Sequence, residues 1–260
     1  MTDKSRPHTL RPDVLDRLAG EIAAARAILP GLPLILGHGS GSFGHVPARR
    51  YATRQGVATP QDWAGFTEVW SEARALNEQV CAALGRAGLP VIAFPPSAAI
   101  TACDGQIQDW NLYPLRAALE HGLIPLVYGD VAFDTRRGGT ILSTEDIFDA
   151  LARIFLPQRV LLAGLEEGVW ADFPRRDALI ATITPQNIHA QSAAIQGSAA
   201  TDVTGGMLAK VESMLNLVRA APGLEVLIFS GLRPGLVQRA LLGETVGTVI
   251  RGSETERGIE

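Results

Sequence analysis

Leu34-Ile-Leu-Gly-His-Gly-Ser-Gly-Ser-Phe-Gly-His45 is the stretch on which the reading of this chain turns. An apolar run of strand character stops at Gly37, and glycines follow at 39, 41 and 44. Glycine reaches φ > 0 and lets a ligand approach bare backbone N–H groups. Successive N–H groups facing one concavity bind anions, phosphate above all. A simple turn between a strand and a helix accounts for one or two glycines. It does not account for four of them interleaved with Ser40, Ser42 and His45. The stretch therefore predicts a strand, Leu34–Leu36, feeding a phosphate-binding loop that runs to His45.

Outward from this loop, strand and helix patterns alternate. Val14, Leu15, Leu18, Ile22 and Leu29 recur at helical spacing behind Pro12, predicting a helix over Pro12–Leu29. Residues 46–65, polar and basic with Pro60, read as irregular. Phe66, Val69, Trp70, Ala73, Leu76, Val80 and Leu84 line one face of a helix ending at Arg86. A strand is predicted at Val91–Phe94, a helix at Leu112–His121 capped by Gly122, and a buried strand at Leu123–Tyr128. Val131–Phe133 and Thr140–Leu142 flank a hairpin turn, and Ser143-Thr-Glu-Asp146 resembles a capping box. Further strands are predicted at Arg159–Ala163, Glu225–Phe229 and Val246–Ile250, with a helix from the Thr204-Gly-Gly-Met207 run to Ala220. Such alternation predicts a mostly parallel α/β sheet covered on both faces. Ligands in such sheets gather at the carboxyl ends of strands. Gly37–His45, Gly129-Asp130 and Ser230-Gly231 all follow strands.

Composition narrows the classes. The apolar fraction is 47% and the net charge −4, which suits a globular chain and offers no basic surface for nucleic acid. Cys81 and Cys103 form no Cys-x-x-Cys pair, so neither a disulfide framework nor a zinc site is expected, and a cytoplasmic location is. No apolar run is long enough to span a membrane.

Four residues stand out as chemistry. His45 sits where an imidazole could orient and neutralise a bound phosphate; His38, nearer the strand end, reads as structural. Asp130 either starts an Asx turn or sets a carboxylate on the active rim, where it would hold lysines or a magnesium shell. The residue pattern leaves both open. Lys210 lies four residues beyond Gly206, about one helical turn, so its ammonium reaches back over the N–H groups of Gly205 and Gly206. Lysine occurs only at positions 4 and 210, which raises the weight of each. No Walker A run is present. The Gly39-x-Gly41-x-x-Gly44 spacing matches a dinucleotide fingerprint, but no acidic residue ends a second strand about 20 residues on.

Taken together, Gly39-Ser-Gly-Ser-Phe-Gly-His45, Tyr128-Gly-Asp-Val131, Ile141-Leu-Ser143, Val203-Thr-Gly-Gly-Met-x-x-Lys210, Ile228-Phe-Ser-Gly231 and Gly243-Glu-x-Val-Gly-Thr248 resemble isopentenyl phosphate kinase, a branch of the amino acid kinase superfamily. The resemblance implies a single domain over residues 1–260, folded as a three-layer αβα sandwich with a central, mostly parallel sheet. The acceptor would bind in about 1–150 and the nucleotide in about 151–260. It implies transfer of the γ-phosphoryl of ATP, with Mg2+, to isopentenyl phosphate, and a homodimer. Carried over by match, Gly39, Ser40, Gly41, Gly129 and His45 bind the acceptor phosphate. Gly41, Gly205, Gly206 and Lys210 contact ATP. Lys4, in Thr2-Asp-Lys4, stabilises the moving phosphoryl group, and Asp130 lies beside the transfer. No protein metal ligand is expected. The Lys-Leu-Gly-Gly-Ser strand that precedes Thr-Asp-Lys in relatives does not occur here, so the first strand of the sheet is expected to be missing. Gly164-Leu-Glu-Glu-Gly168 stands where many relatives have Thr-Asp-Val-Asp-Gly. Two rival readings follow: a kinase for another small phosphate or phosphonate such as fosfomycin, and a non-catalytic ligand-binding pseudokinase.

Overall fold

A computed structural model describes residues 1–3, 6–196 and 206–252. The chain divides into two compact units, Met1–Ala150 and Leu151–Glu260.

The first unit opens with helix α1 (Pro12–Ile28), which turns Val14, Leu15, Ala19, Ile22 and Ala25 inward. Strand β1 (Leu36–His38) follows, then α2 (Gly41–Tyr51), a 3-10 turn at Thr53–Gln55, and α3 (Pro60–Arg86). Next come β2 (Val91–Ala93), the short α4 (Pro96–Ala99), β3 (Ile100–Cys103), β4 (Gln106–Trp110), α5 (Tyr113–Glu120), β5 (Ile124–Tyr128), β6 (Asp130–Asp134), β7 (Gly138–Leu142) and α6 (Thr144–Phe155), whose residues from Leu151 on belong to the second unit. Strands β1 and β2 both pair in parallel with β5, the middle strand. Every residue of β5 is buried, as a strand covered on both faces requires. A second sheet runs β4-β3-β6-β7, with β3 parallel to β6 and two antiparallel hairpins at its edges.

Two expectations fail here. Residues 46–65 are mostly helical, with irregular backbone confined to the stretch between α2 and α3, and the glycine segment is not a loop as far as His45. Helix α2 starts at Gly41 and carries Gly44, His45 and Pro47 within it. Helix α3 starts at Pro60, six residues earlier than its apolar stripe suggests. Its start is set by a full capping box: Thr59 Oγ1 accepts from the Asp62 amide, and Asp62 Oδ2 accepts from the Thr59 amide. Packing overrides the low helix propensity of α2. A Cβ on Gly65 of α3 would stand 2.2 Å from the Tyr51 ring, so only glycine lets the two helices meet there.

The hairpin β6–β7 forms as its sequence predicts. The Asp134 carboxylate, 4% exposed, ties it to the β3–β4 turn. It accepts from the amides of Asp104 and Gly105 in one turn and of Arg136 and Arg137 in the other. Burial alone would push its pKa up, but these four amides hold it below the ordinary value. The predicted capping box at Ser143 also forms, with Ser143 Oγ accepting from Asp146 N at 3.1 Å and Asp146 Oδ2 from Ser143 N at 2.8 Å.

The second unit holds β8 (Arg159–Gly164), β9 (Thr182–Ile183), α7 (Ile188–Gln196), α8 (Gly206–Ala220), β10 (Glu225–Ser230), α9 (Leu236–Leu241) and β11 (Thr248–Arg251). Its sheet runs β8-β10-β11-β9, with one antiparallel pairing, β10–β11, among parallel ones. Helix α8 buries Val211, Met214, Leu215, Leu217 and Val218 and packs on β10 and β11. Thr248 is fully buried, and its hydroxyl donates to the Ile180 carbonyl and accepts from the Val169 amide. No helix among the described residues is long and apolar enough to cross a membrane.

Candidate active site

The carboxyl ends of β1 and β5 meet at the glycine segment. The Gly129 amide donates to the His38 carbonyl at 3.1 Å, joining the exits of the two strands. Thr144 Oγ1, at the start of α6, donates to the same carbonyl at 2.7 Å. Beyond His38 the chain passes Gly39 and Ser40 and enters α2. The amides of Gly39, Ser40 and Gly41 find no acceptor among the described residues. The Ser40 carbonyl accepts from Phe43 and Gly44, which starts the helix. Three successive N–H groups lie at the positive end of an eleven-residue helix, an arrangement chemically suited to an anion. Gly41 needs to be glycine twice over, because its φ is +55° and a Cβ would stand 2.5 Å from Thr2 Oγ1. His45 lies one turn beyond Gly41 on the same face of α2, half-buried.

The chain's N-terminal segment is fastened to the first turn of α2. Ser42 N donates to Thr2 Oγ1 at 3.2 Å. Ser42 Oγ donates to the Thr9 carbonyl and accepts from the Thr9 amide, while His8 N donates to the Ser42 carbonyl. Thr2 pairs with Leu10 across the segment, and His8 Nδ1 stands 2.8 Å from Glu72 Oε2 of α3. Lys4 falls outside the described residues. Its neighbours Thr2, Asp3 and Arg6–Leu10 are brought to the start of α2, a contact the sequence did not disclose.

Asp130 opens β6 immediately after Gly129. It is 1% exposed. Its Oδ1 accepts from the Val131 amide at 2.8 Å, and Oδ2 has no hydrogen-bond partner among the described residues. Burial pushes its pKa up to about 6, against the opposing dipoles of Ser97 in α4 and the Val131 amide. An Asx turn explains Oδ1 and leaves Oδ2 without a reason. A buried carboxylate held against its solvation preference makes Asp130 a candidate functional group. The native state binds this proton more tightly than the unfolded chain, whose ordinary value is 3.8. Stability therefore falls as pH rises from about 4 to about 6, then levels, for a loss of about 3 kcal/mol. Asp130→Asn keeps the Oδ1 contact and removes the charge. It is expected to flatten this slope and to exceed the parent in stability above pH 6 by up to about 3 kcal/mol. Urea unfolding from pH 4 to pH 8 measures both, and parallel curves for the two proteins would refute the assignment.

Several members of this site carry no clear mark in the sequence: Thr2, Asn77, Ser97, Tyr128 and Thr144. Asn77 has one signal, since it is a buried polar residue within the apolar stripe of α3. The others are ordinary residues whose partners lie far away in sequence.

In the second unit, Gly206 opens α8 with φ +74°. Lys210 follows one turn later on the same face, partly buried. Gly205 lies outside the described residues. At the end of β8, Glu166 accepts from Trp170 Nε1 at 2.8 Å and pairs with Arg176 at 3.0 Å, while Glu167 pairs with Arg233 at 3.2 Å. Among the described residues no group of three or more His, Cys, Asp or Glu is placed to hold a metal ion.

The sequence matches the amino acid kinase family over residues 1–230. It is 34% identical over 249 residues to isopentenyl phosphate kinase of Methanothermobacter thermautotrophicus, covering 92% of this chain and 91% of that protein. It is 30% identical over 262 residues to isopentenyl phosphate kinase of Methanocaldococcus jannaschii, covering 98% of this chain and 96% of that protein. Among solved structures, an X-ray structure of isopentenyl phosphate kinase superposes with a TM-score of 0.77 at 30% identity, over 93% of this chain and 92% of that one.

Proposed function

Because the chain belongs to the amino acid kinase family, on its isopentenyl phosphate kinase branch, we propose that it transfers the γ-phosphoryl group of ATP to the phosphate of isopentenyl phosphate, giving isopentenyl diphosphate and ADP. The observation that supports this reading is the run of three amides, Gly39 to Gly41, that find no acceptor among the described residues, with His45 one turn along the same helix face. That is a receptor for a phosphate dianion, and the acceptor of this reaction is one.

The physics asks little else of the protein. An acceptor phosphate oxygen is already a competent nucleophile, so no general base is needed. Two anionic groups must be brought in line and their charge offset. The amides of Gly39, Ser40 and Gly41 hold the acceptor from below, beside Gly129, and the His45 imidazole donates to it. Gly205, Gly206 and Lys210 serve the nucleotide. Lys4 meets the phosphoryl group in transit. Asp130 stands with Gly129 on the acceptor side. On this reading residues 1–150 bind the acceptor and 151–260 the nucleotide.

Magnesium supplies further charge neutralisation when it accompanies ATP. It prefers hard oxygen ligands and commonly takes most of them from phosphate and water. The partnerless Asp130 Oδ2 fits such an ion as a single protein oxygen, and the described residues fit a nucleotide-borne ion better than a resident one. A homodimer is part of the same proposal, on family likeness.

Steady-state turnover with isopentenyl phosphate, fosfomycin and no acceptor, each with Mg2+ and ATP, is the test, with the product identified by 31P NMR. A new diphosphate signal from isopentenyl phosphate is expected. A higher kcat/KM for the phosphonate, or no turnover of either acceptor, would overturn the assignment.

A further inference from the structure

His38 is the one fully buried histidine among the described residues, and the reaction above makes no use of its charge. Its ring lies flat on Tyr128, with centroids 5.4 Å and planes 4° apart. Nδ1 is 3.0 Å from the Gly39 carbonyl oxygen, and Nε2 is 3.2 Å from Asn77 Oδ1. Both ring nitrogens thus face oxygens, yet a neutral imidazole has one N–H. Burial lowers the pKa of this ring, so it stays neutral near pH 7 and cannot donate twice.

One rearrangement satisfies every group. Turning the Asn77 carboxamide about its last bond exchanges its oxygen and nitrogen in nearly the same volume. Asn77 Nδ2 then donates to His38 Nε2. Asn77 Oδ1 accepts from the Cys81 thiol, which that side chain also reaches and which burial keeps protonated. His38 is left with its proton on Nδ1, donating to Gly39. The opposite tautomer would set the Nδ1 lone pair against the Gly39 oxygen.

We infer that His38 is a positioning residue whose neutral Nδ1–H tautomer grips the Gly39 carbonyl and so aims the Ser40 amide at the acceptor phosphate. The Gly39 carbonyl and the Ser40 N–H share one planar trans peptide and point in opposite directions. Fixing the oxygen fixes the line of the N–H. Gly39 has no side chain, and its peptide would otherwise swing through the wide range glycine permits. The backbone of His38 is itself held, since its carbonyl takes the Gly129 amide and the Thr144 hydroxyl. The chain of contacts runs Cys81, Asn77, His38, Gly39 and ends at an amide with no acceptor among the described residues. The inference rests on the acceptor reading of the glycine segment.

Two measurements on the whole protein test it. In 15N NMR with labelled histidine, the His38 ring is expected to carry its proton on Nδ1 and none on Nε2 at pH 7. An Nε2–H tautomer or a doubly protonated ring overturns the inference. In kinetics, His38→Leu is expected to raise the KM for isopentenyl phosphate roughly 10- to 100-fold while ATP KM stays within about twofold. His38→Asn places an amide N–H near the old Nδ1 and is expected to return most of that loss. An equal rise in both KM values, or an asparagine variant no better than leucine, means packing alone and overturns the inference. Should the leucine variant fail to fold, the tautomer in the parent protein decides. A parent that turns over no isopentenyl phosphate refutes the proposed function, whereas the ring tautomer reports on His38 independently.

Discussion

His45→Ala is expected to lower kcat/KM for the acceptor by about 10²- to 10³-fold, equivalent to about 3–4 kcal/mol of transition-state stabilisation. The loss is expected in both acceptor KM and turnover, because the imidazole meets a phosphate whose charge it offsets in the ground state and during transfer. Stability is not the route. Alanine is the better helix former, and His45 is only half-buried on α2. A thermal melt near that of the parent, beside collapsed kinetics, gives the expected pair of results. Parent-like kinetics would remove His45 from the site and, with it, the reading of α2 as the acceptor cradle.

Lys210→Ala is expected to act on the other substrate. On the proposed reading, an ammonium one turn into α8, on the face that begins at Gly206, serves the phosphates of ATP. Its loss is expected to raise ATP KM and lower turnover by about 10²-fold or more together, with acceptor KM moved far less. Lys210→Arg is expected to restore only part, since a planar guanidinium does not take the place of a compact ammonium. Measuring both KM values at saturating co-substrate checks the split. Unchanged ATP KM with full turnover would refute the role. The two variants together ask whether residues 1–150 and 151–260 divide the substrates between them.

Much of this fold is legible in the order of residues. The stripe from Phe66 to Leu84 predicts α3, and the hairpin, the Ser143 capping box and the Gly122 cap all form. These are local signals, carried by neighbours within a few positions. The helix α2 is not legible in this way. Gly41, Gly44 and Pro47 argue against a helix, and distant partners, Tyr51 against Gly65 and Ser42 against Thr2 and Thr9, give that segment something to pack against. The β3–β4 hairpin does carry a local signal, Asp104-Gly105 at positive φ in its two-residue turn, while the carboxylate that ties that turn down belongs to Asp134 in another strand.

The candidate site divides along the same line. Residue type and spacing single out His45, Asp130 and Lys210. They do not disclose the environment of Asp130, because a buried oxygen without a partner is made by every surrounding element at once.

By itself the chain's order of residues determined the alternation of strand and helix, the backbone freedom of Gly39 and Gly41 and the mild net negative charge. These follow from backbone freedom, periodicity and charge, which are properties of short windows. Tertiary structure alone decided that His38 faces Gly39 and Asn77, that Thr2 and Thr9 fasten to Ser42, and that Asp130 is stripped of water. Burial and hydrogen-bond direction depend on atoms 33 to 40 positions away along the chain, and no local pattern encodes them.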